Sequence, residues 1–375
     1  VIPLGVHLDD FNFSDDDKLF SRKSLGIGSN DIAILFLGRL SFHAKAHFMP
    51  MYIALENVQR SLPKDIKLHL IQTGWFPNKV VEKMYRDESK LACPSIKCHF
   101  LDGRNINDKK LSYSSADIFI SLVDNFQETF GLTPLEGMAS GLPTIVSDWN
   151  GYKETVRNGV DGFRITTSTM SEGNGYDLAL RHNLGIDTYD HYIGRASQTV
   201  SIDIQECIDK ITILCTNKEL RLKMGKNAKE RASEFSWNNI ISMYLEFKNE
   251  LDNKRTISIS NNQTFLPPIN IQDPYTFFND YSTFKLTKDC IVITSNNNKI
   301  DLEDFYNFSS ISYLENIAPN IEILKNIYNF IKKGKTLIIS DIRNSLEYDN
   351  HVISKSILWL SKYGYIELKK PNEKK

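Results

Sequence analysis

A doubly wound parallel α/β sheet followed by a small, mainly helical unit is the fold class that this 375-residue sequence predicts. Three observations predict it. Short apolar β-type runs alternate with longer amphipathic stretches from Asp31 to Arg157, a polar stretch with paired prolines interrupts the chain at 253–268, and helices closed by a single strand follow. The expected units are an α/β domain at 1–252, a linker at 253–268 and a small α+β winged-helix-like domain at 269–375.

Each element follows from its local pattern. Ile32-Ala33-Ile34-Leu35-Phe36-Leu37 is an unbroken apolar run that suits a strand buried on both faces, and Ile66–Ile71, Ile96–Leu101, Asp117–Val123 and Pro143–Ser147 repeat the signal. Helical patterns separate them at Pro50–Leu62, Val80–Leu91, Asp108–Ser115, Pro134–Ser140 and Tyr152–Arg157. Residues 167–202 break this rhythm and are expected to form a functional loop. Three helices then follow at Ile204–Cys215, Lys218–Phe235 and Trp237–Leu251, the last N-capped by Ser236. Beyond the linker, Glu322–Ile331 and His351–Tyr363 read as helices and Gly364–Leu368 as the closing strand, with Ile353, Ile357, Leu358 and Leu360 as core candidates.

Composition excludes several classes of function. Forty-five Lys and Arg against 46 Asp and Glu leave a net charge of −1, which offers no general attraction to nucleic acid or anionic lipid. Five scattered cysteines form neither a disulfide framework nor a CxxC, which points to a reducing cytoplasm. No apolar run approaches the roughly eighteen residues of a membrane span, so a cytoplasmic location is expected, with peripheral attachment to a membrane as the other possibility. Val1 in place of an initiating Met fits a fragment.

The densest chemical signal is Glu128-Thr129-Phe130-Gly131-Leu132-Thr133-Pro134-Leu135-Glu136. Thr133 as N-cap, Pro134 at the first helical position and Glu136 at the third specify a helix start, whose free N–H groups and dipole suit a phosphate. Gly131 allows a ligand close to the main chain. The plain reading of Glu136 is a capping box with Thr133, and that of Glu128 is a solvated loop acid. Arg39 and Lys45, after the first strand, read most simply as surface cations at a strand end. His43 and His47 flank Lys45 at a spacing that would suit two metal ligands, but no third ligand accompanies them, and no metal is expected. Gly26-Ile27-Gly28 precedes the first strand and lacks a third glycine, so it is no dinucleotide loop.

Taken together these stretches resemble glycosyltransferase family 4, the retaining enzymes built from two Rossmann-like domains and called GT-B. Glu128 and Glu136 are similar to the family's E-x7-E motif, and Gly38-Arg39 followed by Lys45 is similar to its basic pair. Val1-Ile2-Pro3-Leu4-Gly5-Val6, Ser140–Val146, Gly159-Val160-Asp161-Gly162-Phe163 and Glu234-Phe235-Ser236-Trp237 are similar to its hinge, late-strand, loop and closing signatures. Leu4 stands where Asn is more usual, and Ala46 where Gly is frequent. The resemblance covers Val1 to Leu251.

The resemblance implies a transfer from a nucleotide-diphosphate sugar to a glycan or lipid-linked acceptor hydroxyl, with retained configuration and no cofactor or metal. It places Arg39 and Lys45 on the diphosphate, Glu128 on the sugar hydroxyls and Glu136 on the ribose. The amides of Phe130, Gly131 and Leu132 would hold phosphate or sugar oxygens, and the base would lie near Gly103-Arg104-Asn105. Catalytic roles fall to Glu128, Arg39 and Lys45. Asp148-Trp149-Asn150-Gly151-Tyr152 follows another strand's carboxyl end and is expected to line the same cleft, with Trp149 facing donor or acceptor. The family's acceptor domain is expected to lie outside these residues, so weak donor binding and little turnover are expected. Two alternatives stand beside this. One is a binding or regulatory protein acting through the C-terminal module, with a protein partner favoured over nucleic acid because only Lys355, Lys362 and Arg343 serve the helix that would recognise it. The other is a GT-B sugar-nucleotide epimerase.

Overall fold

The computed structural model describes residues 2–258, 272–314 and 316–371. Its α/β part runs α1 (Asp15–Leu25), β1 (Ile32–Leu37), α2 (Phe48–Ser61), β2 (Leu68–Gly74), α3 (Lys79–Ala92), β3 (Lys97–Asp102), α4 (Ile106–Ser115), β4 (Ile118–Ser121), α5 (Leu132–Ala139), β5 (Thr144–Ser147), α6 (Tyr152–Thr155) and β6 (Gly162–Ile165). The strands form one six-stranded parallel sheet in the order β3-β2-β1-β4-β5-β6. All six residues of β1 are buried, as an apolar run without alternation requires. The expected strands and helices between Asp31 and Arg157 are present with ends shifted by a few residues. The helix α1 lay outside that rhythm, although Ser14 and Asp17 form a complete capping box at its start.

Residues 167–202 are not an irregular loop. They carry β7 (Thr167–Thr169), α7 (Tyr176–Asn183), α8 (Tyr189–Ser197) and β8 (Ser201–Ile202), each too short to establish a hydrophobic period. Helices α9 (Ile204–Thr216), α10 (Lys218–Ser233) and α11 (Trp237–Ser258) follow. Helix α11 continues past Leu251, so residues 253–258 of the expected linker are helical, and 259–268 lie outside the described residues. At its start Val6 N–H donates to the Phe235 carbonyl at 2.8 Å, and Gly5 packs so closely on Trp237 that a Cβ would overlap its ring, which brings the first and last signatures of the α/β unit together.

The C-terminal region comprises α12 (Pro274–Phe277), β9 (Phe284–Lys285), β10 (Ile291–Thr294), α13 (Leu302–Tyr306), α14 (Ile321–Gly334), β11 (Thr336–Ile338), α15 (Ile339–Ser345), α16 (Asn350–Lys362) and β12 (Ile366–Lys369). Strands β11-β10-β12 make an antiparallel sheet on which α14 and α16 pack. Ile353, Ile357, Leu358 and Leu360 are fully buried, as their spacing predicts. Strand β9 leaves this region and pairs in parallel with β7, which pairs antiparallel with β8. The C-terminal region is therefore stitched to the α/β unit through 167–202. Further polar ties cross the same boundary. Ser310 donates its amide (3.0 Å) and its hydroxyl to Glu88, and the Ser201 hydroxyl donates to that of Ser361 at 2.7 Å.

Among the described residues no helix is long and apolar enough to cross a membrane. Several imidazoles are built in uncharged. His69 lies between Asp31 (3.2 Å) and His99 (3.0 Å), a chain that a neutral His69 satisfies by donating to Asp31 and accepting from His99. Burial pushes His47 and His69 down, and it brings His99 to about 4. The native state thus binds fewer protons than the unfolded chain, whose imidazoles titrate near about 6.5, so stability is complete above that pH and declines as pH falls from about 6.5 towards 4. Calorimetric Tm values are expected to drop through this window, and to drop less steeply in His99→Gln. A Tm that is flat across it would contradict the assignment.

Candidate functional site

Strand order reverses between β1 and β4, because the chain leaves β1 towards β2 on one side and β4 towards β5 on the other. At such a switch point the loops beyond the carboxyl ends diverge and leave a crevice. The loop after β1 carries Gly38, Arg39 and Lys45, and the loop after β4 carries Glu128 and Gly131. The two meet: Lys45 Nζ forms an ion pair with Glu128 Oε2, with side chains only 20% and 10% exposed. Arg39 is exposed and donates to the Ala44 carbonyl at 3.0 Å, which keeps the two cations on one turn. Ala46 fits that turn with a negative φ, so the glycine frequent at its position is not needed here.

Glu128 is held from several sides. Its N–H donates to the Asn125 carbonyl (3.2 Å), its own carbonyl accepts from Asn150 Nδ2 (3.2 Å), and the Tyr152 hydroxyl is 3.4 Å from Oε2. Burial, with the neighbouring carboxylate, pushes the Tyr152 phenol well up, so it stays a proton donor. Gly131 has φ +82° and packs against the Tyr152 ring, where a Cβ would overlap Cε1.

The helix start differs from the expected capping box. Helix α5 begins at Leu132 with Gly131 as N-cap, no side chain caps it, and Pro134 is the third helical residue. Thr133 Oγ1 is buried with no hydrogen-bond partner among the described residues. Glu136, a residue too far along to reach back to the cap, instead accepts from Lys109 Nζ (2.8 Å) and the Tyr113 hydroxyl (2.6 Å) on α4. Burial again raises the Tyr113 phenol, with Glu136 adding to the effect. A helix N-terminus without a side-chain cap leaves backbone N–H donors for an anion.

Arg104 is not gathered into this cluster. Its guanidinium makes a bidentate pair with Asp102 (2.9 and 2.7 Å) at the end of β3, and hydrogen bonding from Arg104 holds Asp102 down at about 2. Phe130 is half-buried near Phe235, and Leu132 is 39% exposed at the mouth. Trp149 does not face the crevice: it is fully buried and donates through Nε1 to the Asn125 carbonyl at 3.1 Å. His47 is buried with Nδ1 accepting from Met49 N–H and Nε2 at 3.3 Å from the Ser310 carbonyl, so both ring nitrogens are occupied. His43 instead lies by Tyr313, and burial lowers its pKa. Lys362 is fully buried and beyond reach of any phosphate backbone, while Lys355 pairs with Asp177 at 3.2 Å.

Lys109, Tyr113, Asp124 and Asn125 escaped the sequence reading, whereas Tyr152 lies in the stretch expected at the cleft and reaches Glu128. For the first two, an i,i+4 pair on the helix after β3 was the available signal.

Residues 17–173 match the family model described as glycosyl transferases group 1. An uncharacterized glycosyltransferase of Methanocaldococcus jannaschii is 29% identical over 163 residues, 42% of this chain and 37% of that protein. A D-inositol 3-phosphate glycosyltransferase of Corynebacterium efficiens is 24% identical over 217 residues, 58% of this chain and 42% of that protein. The chain spans less than half the length of these two relatives. Anabaena HepE, solved in complex with UDP and glucose, aligns with TM-score 0.46 and 18% identity over 66% of this chain and 55% of its own.

Gly131→Ala forces a side chain into the left-handed region and onto Tyr152, at a cost of roughly 1–3 kcal/mol. The urea midpoint is expected to fall accordingly. A variant as stable as the parent would show that the loop re-forms without its glycine.

Proposed function

We propose that this chain is the donor-binding part of a retaining GT-B glycosyltransferase, which moves a sugar from a nucleotide diphosphate to the hydroxyl of a glycan or lipid-linked acceptor. The observation that carries the reading is the meeting of Lys45 and Glu128 across the switch point, beside the uncapped start of α5. A diphosphate at that helix start competes with Glu128 for Lys45. As Lys45 and Arg39 turn to the phosphates, the Glu128 carboxylate becomes free to accept hydrogen bonds from the sugar hydroxyls. Glu136, steadied by Lys109 and Tyr113, takes the ribose hydroxyls.

The same placement supports the chemistry. Negative charge develops on the departing diphosphate as its bond to the anomeric carbon breaks, and the cations turned to it, with the helix N–H groups, stabilise it. The acceptor oxygen attacks from the face that the diphosphate leaves, which retains configuration. No metal is required when two side-chain cations and a helix terminus carry the charge. Within this reading, 1–252 is the donor unit and 269–375 a winged-helix-like module seated against it.

Calorimetry with UDP-glucose, GDP-mannose and ADP-glucose tests the proposal on the wild type, Glu136→Ala and Lys45→Met. Binding of at least one by the wild type is expected, weakened about 10- to 100-fold by either substitution, as loss of a charged hydrogen bond implies. No binding by the wild type, or unchanged affinity in both variants, would contradict it.

A further inference from the structure

A buried ion pair joins the C-terminal region to the root of the candidate site. Lys362, the last residue of α16, and Asp124, in the loop after β4, have side chains 0% and 1% exposed. Lys362 Nζ donates to Asp124 Oδ2 at 2.6 Å and to the Ser197 carbonyl on α8 at 2.5 Å. Asp124 Oδ1 accepts from the His47 N–H at 3.3 Å, two residues beyond Lys45. The next residue, Asn125, donates from Nδ2 to the His43 carbonyl (3.0 Å), and its backbone carbonyl accepts from Glu128 N–H (3.2 Å) and Trp149 Nε1 (3.1 Å). Asp124 and Asn125 thus fasten the Lys45 loop to the Glu128 loop. Lys362 is the ion-pair partner of Asp124 among the described residues, and the other groups around that carboxylate include Tyr85, Tyr313 and Tyr363, which carry no positive charge.

Stability alone does not explain such a pair. Desolvating two charges costs about as much as their attraction returns, and an apolar replacement of both partners is often neutral or stabilising. What the pair provides is direction: one ammonium, three N–H donors, and acceptors on two different elements. We propose that Lys362 is a positioning residue for the donor site, fixing through Asp124 the relative placement of the loops that present Lys45 and Glu128. The C-terminal region is then a structural component of the site. This rests on the reading of those loops as the donor site.

The test uses the full chain with Lys362→Met and with the neutral pair Asp124→Asn/Lys362→Met, which leaves no bare buried charge and keeps the protein folded if the single variant fails. Hydrogen exchange resolved by segment is measured alongside calorimetry with UDP-glucose, GDP-mannose and ADP-glucose. The folded double variant is expected to exchange on the order of tenfold faster at 39–47 and 122–131 while amides of β1, β2 and β5 stay unchanged, and to bind the donor accepted by the wild type about tenfold more weakly. A role confined to packing would lower Tm alone. Wild-type exchange in both loops, with wild-type affinity, would overturn the proposal. Should the wild type bind none of the three sugars, the donor reading fails, and loop exchange by itself decides whether Lys362 orders the two loops.

Discussion

The reversal of strand order between β1 and β4 is the constraint on which the rest depends. Parallel strands buried on both faces require crossover helices, and where successive crossovers go to opposite sides the loops at the carboxyl ends must part. Two loops with opposite charge, Gly38–His47 and Leu122–Gly131, leave the sheet at that point and close on each other through Lys45 and Glu128. Had β4 been placed elsewhere in the sheet, neither loop would have a partner.

Charge in the site is managed by neighbours that hold it without spending it. Two buried phenols, Tyr152 and Tyr113, stand next to Glu128 and Glu136 and remain protonated, so each carboxylate has a fixed donor and a cation within reach. The start of α5, in contrast, is left uncapped, with an unpartnered hydroxyl in its first turn. A helix terminus kept without a side-chain cap is more consistent with an incoming anion than with the capping box that its sequence suggests.

The sheet was legible in the sequence because long apolar runs and long amphipathic helices carry their own period, as β1 and α2 do. Residues 167–202 were not, since strands of two or three residues and helices of eight or nine hold too few apolar positions. In the site, Arg39, Lys45, Glu128 and Glu136 could be named from order and spacing, but their partners could not. The pairing of Glu136 with Lys109 and Tyr113 depends on how α4 lies against α5, and that of Asp124 with Lys362 joins residues 238 positions apart. Trp149 misled for a related reason: its place after a strand suggested the crevice, whereas its indole closes the hydrogen-bond set of Asn125 from behind.

The central claim is that a diphosphate binds at the start of α5 by drawing Lys45 away from Glu128. A crystal structure of the chain with UDP tests it most directly. The account predicts phosphate oxygens within hydrogen-bond distance of the Gly131 or Leu132 amide, with Lys45 Nζ moved from the Glu128 carboxylate to the phosphate. A diphosphate bound elsewhere on the chain, with the Lys45–Glu128 pair intact, would contradict it.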